Sequence, residues 1–343
     1  MTERTLTTRA LNRALLARQM LLERSSLSIV EAIEQVGGLQ TQYAPSGYVG
    51  LWTRLVGFRR DALTEALVDR SVIQATLLRT TIHMVSRREF WRYALGIRDA
   101  RRAWALRIDR EGADEATHVA AADRLRAALA AGPRTVRELD GLVTGFVGNA
   151  GLWLDLVRVP PSGTWERRRA DRLGLADDWV GPVDATEDEG LTHLVRAYLR
   201  GFGPAPWRDI ATWAGIPVTA ARRAGERLDL VHYRDESDRP LVDLADAPLP
   251  DPETPAPVRF LPHWEASLLV HARRTGILPE EHRPRVFDVR NPFSVGTVLV
   301  DGRVAAAWSL REGRIALDPY VSLTAAERDA VEDERLALEA FHA

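Results

Sequence analysis

The sequence predicts an α+β fold: three helix-helix-helix-hairpin units in tandem, the order of a winged helix, followed by a small C-terminal β-barrel. Three observations carry this reading. Apolar residues recur at helical spacing and give way, at the end of each unit, to β-branched strand-like runs. That succession of patterns occurs three times, at intervals of roughly 80 to 100 residues. A stretch rich in proline and acid, ADAPLPDPETPAP at 245–257, then separates the last unit from short apolar segments broken by turn residues. The expected units are 1–110, 111–185 and 186–245, with a β-rich unit over 246–343.

The elements follow in order. Leu11, Leu15, Leu16, Met20 and Leu22 lie at helical spacing, with arginine on the other face. Ser28 sits at the N-cap of a short helix carrying Ile29, Ile33 and Val36, which stops at Gly37–Gly38. Pro45 and Ser46 open a third helix, and a short one follows Asp61. Val72–Ser86 is β-branched and reads as two strands around Arg79–Thr81. In the second unit, 117–131 is an amphipathic helix, Thr135 caps a helix to Val143, 148–156 forms a third, and a strand starts at Val157. The third unit reads Glu189–Arg200, Pro206–Ala214 and Thr219–Arg227, then strand-like Leu230–Arg234 and Pro240–Leu244. Beyond the linker, Asp301–Gly302 marks a tight hairpin turn, and 322–342 finishes as an acidic amphipathic helix starting near Thr324 and Glu327.

Composition narrows the chemistry. Of 343 residues 45% are apolar, enough for a substantial core, and there is no cysteine, which excludes disulfides, thiolate metal sites and cysteine nucleophiles. All 46 basic side chains are arginine, so neither a lysine Schiff base nor a P-loop lysine exists. Residues 1–110 carry a net charge of +8 and the remainder −10, a polarity that suggests a phosphate backbone as partner of the first third. The N-terminal stretch lacks the apolar run of a signal peptide, and no segment approaches the roughly 20 apolar residues that span a bilayer. A cytoplasmic protein with no membrane partner is expected. There is no GxGxxG after a strand, no GxSxG and no HExxH, and His263, His271 and His282 match no ligand spacing. No metal and no cofactor are expected.

One stretch stands apart: GLQTQYAPSGYVGLWTR at 38–54, with Gln40 and Gln42 between a Gly–Gly stop and a Pro-started helix. Alternation in an extended segment puts both amides on one side, where they can hold a water or grip a nucleotide. The plainer alternative is that they cap neighbouring helix ends. Together with LLRTTIHMVS (77–86), LVRVPPSGTWERR (156–168) and LPHWEASLLVHARRTGIL (261–278), the stretch resembles the AlkZ-like winged-helix DNA glycosylases of the AlkZ/YcaQ superfamily, over almost the whole chain. The family's paired-glutamine motif has an aliphatic residue in the middle; here it reads Gln40–Thr41–Gln42, a hydroxyl-bearing departure. Glutamine rather than aspartate at the second polar position aligns the chain with the crosslink-processing branch. The resemblance implies three winged helices in a C-shape closed by a barrel, with the glutamines in a basic channel.

It also implies a monofunctional glycosylase acting, as a monomer, on double-stranded DNA that carries bulky or cationic N3- or N7-alkylpurines. Interstrand crosslinks and a self-resistance role belong to the same expectation. Glutamine has no useful proton affinity near neutrality, so Gln40 and Gln42 are expected to orient a water. Arg54, Arg79, Arg273 and Arg274 are candidate phosphate contacts, and His83, a candidate DNA-binding residue, points either into the channel or into the hairpin core. Trp52, Trp91, Trp104 and Trp153 sit at apolar helical positions and are expected in the core. A transcription regulator and a non-catalytic lesion-binding protein remain as alternatives on the same fold.

Overall fold

The computed structural model describes residues 3–109, 112–142, 151–269, 272, 274–287 and 294–343. Four helices start at reciprocal caps that the sequence supplies. Ser28 and Glu31 form a reciprocal capping box on Ile29–Gln35, and Thr135 with Glu138, Thr186 with Glu189 and Thr324 with Glu327 repeat it. Each box satisfies backbone N–H groups that a helix N-terminus otherwise leaves bare. Ile29–Gln35 stops at Gly37 and Gly38, whose φ of +76° and +85° suit residues without a Cβ.

Helices Thr8–Arg18, Ile29–Gln35, Pro45–Trp52 and Arg60–Val68 lead to the hairpin Val72–Thr76 and Ile82–Ser86. Helices Phe90–Gly96 and Arg98–Ile108 follow, which the hydrophobic pattern did not announce. The next segment holds Glu115–Leu129, a short Val136–Leu139 and the strands Leu156–Arg158 and Arg172–Leu175. The helix expected to reach Val143 ends at Leu139, and of the one expected over 148–156 residues 151–155 form turns and bends while 148–150 lie outside the described residues. Helices Glu187–Phe202, Trp207–Ala214 and Val218–Gly225 precede the hairpin Leu230–Asp235 and Pro240–Leu244.

The sheets cross the expected boundaries. The two earlier hairpin regions merge in one six-stranded sheet, ordered Leu39–Gln40, Ile82–Ser86, Val72–Thr76, Leu156–Arg158, Arg172–Leu175, Arg134–Thr135, every pair antiparallel. The seam pairs Gln74 with Arg158, so the edge of the first hairpin is satisfied rather than exposed. Arg4–Leu6 pairs in parallel with Leu230–Asp235, so the first residues complete the sheet of the third unit.

The C-terminal strands correct the expected barrel. Arg259–Leu261, Gly296–Val300, Arg303–Arg311 and Arg314–Pro319 form an antiparallel four-stranded sheet in that order, and no pairing joins its first strand to its last among the described residues. Closure needs tilted strands that pair around a ring. Here the helix Ala325–His342 packs against both edge strands, Arg259–Leu261 and Arg314–Pro319, and covers the sheet instead. Asp301 and Gly302, with φ of +43° and +75°, make the expected tight turn.

One apolar cluster joins Leu15, Ile73, Tyr93, Leu194, Trp213, Leu261 and Leu299, so the units share a core. A second packs Leu39, Tyr48 and Met84 against Phe260, Val298, Trp308 and Leu338. It seats the C-terminal sheet directly behind the glutamine segment. Trp91 and Trp153 are buried and Trp52 and Trp104 half-buried, none of them at the glutamines. Helices Phe90–Gly96 and Glu187–Phe202 touch at Gly96 and Gly190, where an added Cβ on Gly190 would lie 2.5 Å from the Gly96 nitrogen.

Candidate active site

The strand Leu39–Gln40 forms an edge of the six-stranded sheet, with Gln40 opposite His83. Gln40 is 7% exposed, and its Oε1 accepts a hydrogen bond from Arg79 Nη2 at 2.9 Å. Arg79 Nη1 donates to the Trp213 carbonyl at 2.5 Å, so one guanidinium ties the glutamine to the third unit. That geometry costs backbone strain. Arg79 and Thr80, at the hairpin tip, have φ of +52° and +58°, left-handed values that non-glycine residues avoid. Burial pushes Arg79 down to about 10, which leaves it charged at neutral pH.

Thr41 is buried and its hydroxyl accepts from Gln74 Nε2 at 3.1 Å. Gln42 is exposed, and its Oε1 accepts from the Ile82 backbone N–H at 3.0 Å. Both glutamine oxygens are thus engaged by the same hairpin. A guanidinium and a backbone N–H can only donate, which fixes the orientation of each amide by chemistry. Neither acts as a cap on Pro45–Trp52, which starts without a side-chain cap.

The other expected contacts divide. Arg54 is fully buried: it donates to Glu265 Oε1 at 2.9 Å, to Gln19 Oε1 at 3.0 Å and to the Gly50 carbonyl at 3.0 Å. It is a structural cation whose two terminal nitrogens are bonded internally and whose Nε is enclosed, so its assignment to a phosphate is corrected. His83 is 3% exposed, donates from Nδ1 to the Thr81 carbonyl at 3.0 Å, and is held down to about 3 by burial and by Arg79. A neutral, enclosed imidazole does not face a channel, and that expectation is corrected too. Arg274 is half-buried, donating from Nη2 to the Tyr198 hydroxyl at 2.8 Å beside the Phe202 ring. Arg273 lies outside the described residues.

Sequence reasoning missed several neighbours. Arg158, next to Gln74 across the seam, bonds only to neutral oxygens, Thr76 Oγ1 and the Ala170 carbonyl, and burial pushes it down to about 10. Arg168 donates to the Tyr43 hydroxyl at 3.1 Å. Both stand in LVRVPPSGTWERR, a motif whose arginines carried no distinguishing spacing. A narrow hollow beside Gln40 is lined by Glu265, Ser46 and Pro262, and a cavity of about 370 Å3 opens past Ser46 and Pro262, lined by Tyr43, His263, Trp308 and His342. Among the described residues no group of three or more His, Asp or Glu is arranged to hold a metal ion. No described helix is long and apolar enough to cross a membrane.

The architecture superposes on the Streptomyces sahachiroi DNA glycosylase AlkZ with a TM-score of 0.80, covering 98% of this chain and 96% of that one at 17% identity. The two share the fold of a DNA glycosylase. No curated protein sequence matches the chain. The family model described as DNA glycosylase AlkZ-like matches residues 33–341, from the helix before the glutamines to the last turn of the final helix. The chain belongs to the AlkZ-like DNA glycosylase family.

Proposed function

We propose that the protein is a monofunctional, monomeric DNA glycosylase that hydrolyses the N-glycosidic bond of purines alkylated at N3 or N7 in duplex DNA. One observation carries the reading: two carboxamides two residues apart, oxygens fixed by one hairpin, beside arginines whose partners are neutral. Cleavage passes through an oxocarbenium-like state, which needs a placed water and stabilisation of charge on the sugar. Gln42 is the exposed member and offers its N–H groups and remaining lone pair to that water. Gln40, pinned through Arg79, keeps the segment in register. Neither is a strong base, so the base must leave easily, and a cationic alkylpurine does. Crosslinked purines carry the same charge at N7 and fit the same requirement.

Without lysine, strand cleavage through a lysine Schiff base is excluded. Arg79, Arg158, Arg168 and Arg274 would position the backbone, and the hairpins would act as wings of winged helices. The test is incubation with duplex DNA carrying N7-methylguanine, followed by alkaline cleavage. Excision with abasic sites as the product is expected. Tight binding with no abasic product would favour a non-catalytic lesion-binding protein, and preference for one undamaged sequence a regulator.

A further inference from the structure

The cavity one residue beyond Gln42 belongs to none of the roles above. It is about 370 Å3, within the range of pockets that hold whole small ligands (about 300–1,000 Å3). Its wall is a chain of rings: Tyr43 and His263 have centroids 5.6 Å apart at 71°, His263 and Trp308 5.6 Å at 76°, and Trp308 and His342 6.1 Å at 64°. Ser46, 3% exposed, lines both this cavity and the hollow beside Gln40, and its Oγ has no hydrogen-bond partner. Both ring nitrogens of His342 are enclosed and likewise unpartnered. Burial lowers His263, while burial, Arg168 and Arg60 bring His342 down to about 4, so both imidazoles are neutral at physiological pH. Among the described residues of the lining Arg168 is the one ionised group, and none of them is a carboxylate.

Buried polar atoms without partners are costly, and an aromatic wall with unpartnered hydrogen-bonding groups suits a planar heterocycle with a polar edge. We propose that this cavity receives the extruded purine base, stacked among Tyr43, His263 and Trp308, with Ser46 and His342 meeting its edge. Enzymes acting on a base must take it out of the stack, and the cavity lies beside the exposed glutamine that would face its sugar. The inference rests on the glycosylase reading and adds a reason for the choice of lesion. When the C1′–N9 bond breaks, its electron pair passes into the imidazolium ring of the alkylpurine and cancels the positive charge. The water oxygen bonds to C1′ and its proton leaves to solvent. With an arginine and no carboxylate among its described lining residues, the cavity holds the neutral leaving base better than the cationic one, so its interactions strengthen along the reaction.

The experiment is calorimetric titration of the full chain with free 7-methylguanine, free guanine and benzyl alcohol, beside excision of N7-methylguanine from duplex DNA. His342→Trp fills the cavity from the end of the last helix. Ser46→Val, one heavy atom larger and without the hydroxyl, narrows it from the other side and stands in should the first variant fail to fold. The wild type is expected to bind both purines, and each variant to bind them about tenfold more weakly, the scale of one lost base-stacking contact. Excision should fall by at least as much while affinity for undamaged duplex is retained. Equal purine affinity in wild type and both folded variants, no purine binding by the wild type, or benzyl alcohol binding as tightly as the purines would each overturn the proposal. Purine binding lost in the variants with no excision by the wild type would uphold the cavity and overturn the glycosylase chemistry instead.

Discussion

Gln40 and Gln42 are chemically identical and physically unlike. Removing the exposed one takes away a group that can meet a water but leaves only the Ile82 N–H, at an open position, without its acceptor. Gln42→Ala should therefore slow excision by about 10²-fold, the scale for a lost positioned polar group, with the melting temperature nearly unchanged. Gln40→Ala strips a buried guanidinium of its acceptor, which costs about 1–3 kcal/mol. It should lower the denaturation midpoint as well as the rate. Gln40→Glu restores an acceptor for Arg79 and should recover stability, which equilibrium unfolding in urea would show. Equal stability losses in the two alanine variants would contradict this division of roles.

At the level of elements, the buried pairs hold the units together. Arg18, on the first helix, grips Asp243 on the last strand of the third unit with two 2.7 Å bonds, both side chains fully buried, and also donates to the Leu199 carbonyl. Asp243→Ala leaves that guanidinium uncompensated and should cost about 3–5 kcal/mol in chemical denaturation, because a broken buried pair is far worse than none. What the sequence revealed followed from range. The caps at Ser28, Thr135 and Thr324, the Gly37–Gly38 stop and the Asp301–Gly302 turn are written within a few consecutive residues and appear as expected. The seam between Gln74 and Arg158, and the burial of Arg54 by Glu265, depend on partners far along the chain, and no local pattern encodes them. The sequence left His83 open between channel and hairpin core for the same reason: whether a strand histidine faces in or out is settled by the strand beside it. The glutamine pair was legible as unusual, but the cavity beside it draws on six separate segments and was not.

For the whole molecule, charge and pH make the testable statements. If the positive first third supplies six or more of the phosphate contacts, DNA affinity should drop about 10³-fold or more between roughly 50 and 200 mM salt. A flat titration would mean that the positive first third is ordinary surface. His83 and His193 are buried and held down to about 3, chiefly by desolvation, whereas in the unfolded chain they titrate near their ordinary value. Below about pH 6.5 the unfolded state binds protons that the folded state refuses, so stability should fall as pH drops from 6.5 towards 5, by up to about 1.4 kcal/mol per pH unit for each histidine. Glu89 and Asp209, raised by burial, act in the opposite direction at lower pH. Urea midpoints at pH 7.5, 6.5 and 5.5 would show the slope, and His83→Gln should flatten it.

The parallel pairing of Arg4–Leu6 with Leu230–Asp235 has a consequence for how the chain acquires its shape. Arg4–Leu6 must wait, unpaired, until residues more than two hundred positions later have left the ribosome. Loop closure of that length is slow, and contacts so distant in sequence delay cooperative folding. The units therefore cannot mature one after another like beads. Synthesis would yield a partly assembled intermediate whose first strand and first hairpin edge are both open, the condition in which chaperones capture nascent chains. Refolding from denaturant should show a late phase in which protection of the Arg4–Leu6 amides appears together with that of Leu230–Asp235, and deletion of residues 1–6 should abolish that coupling.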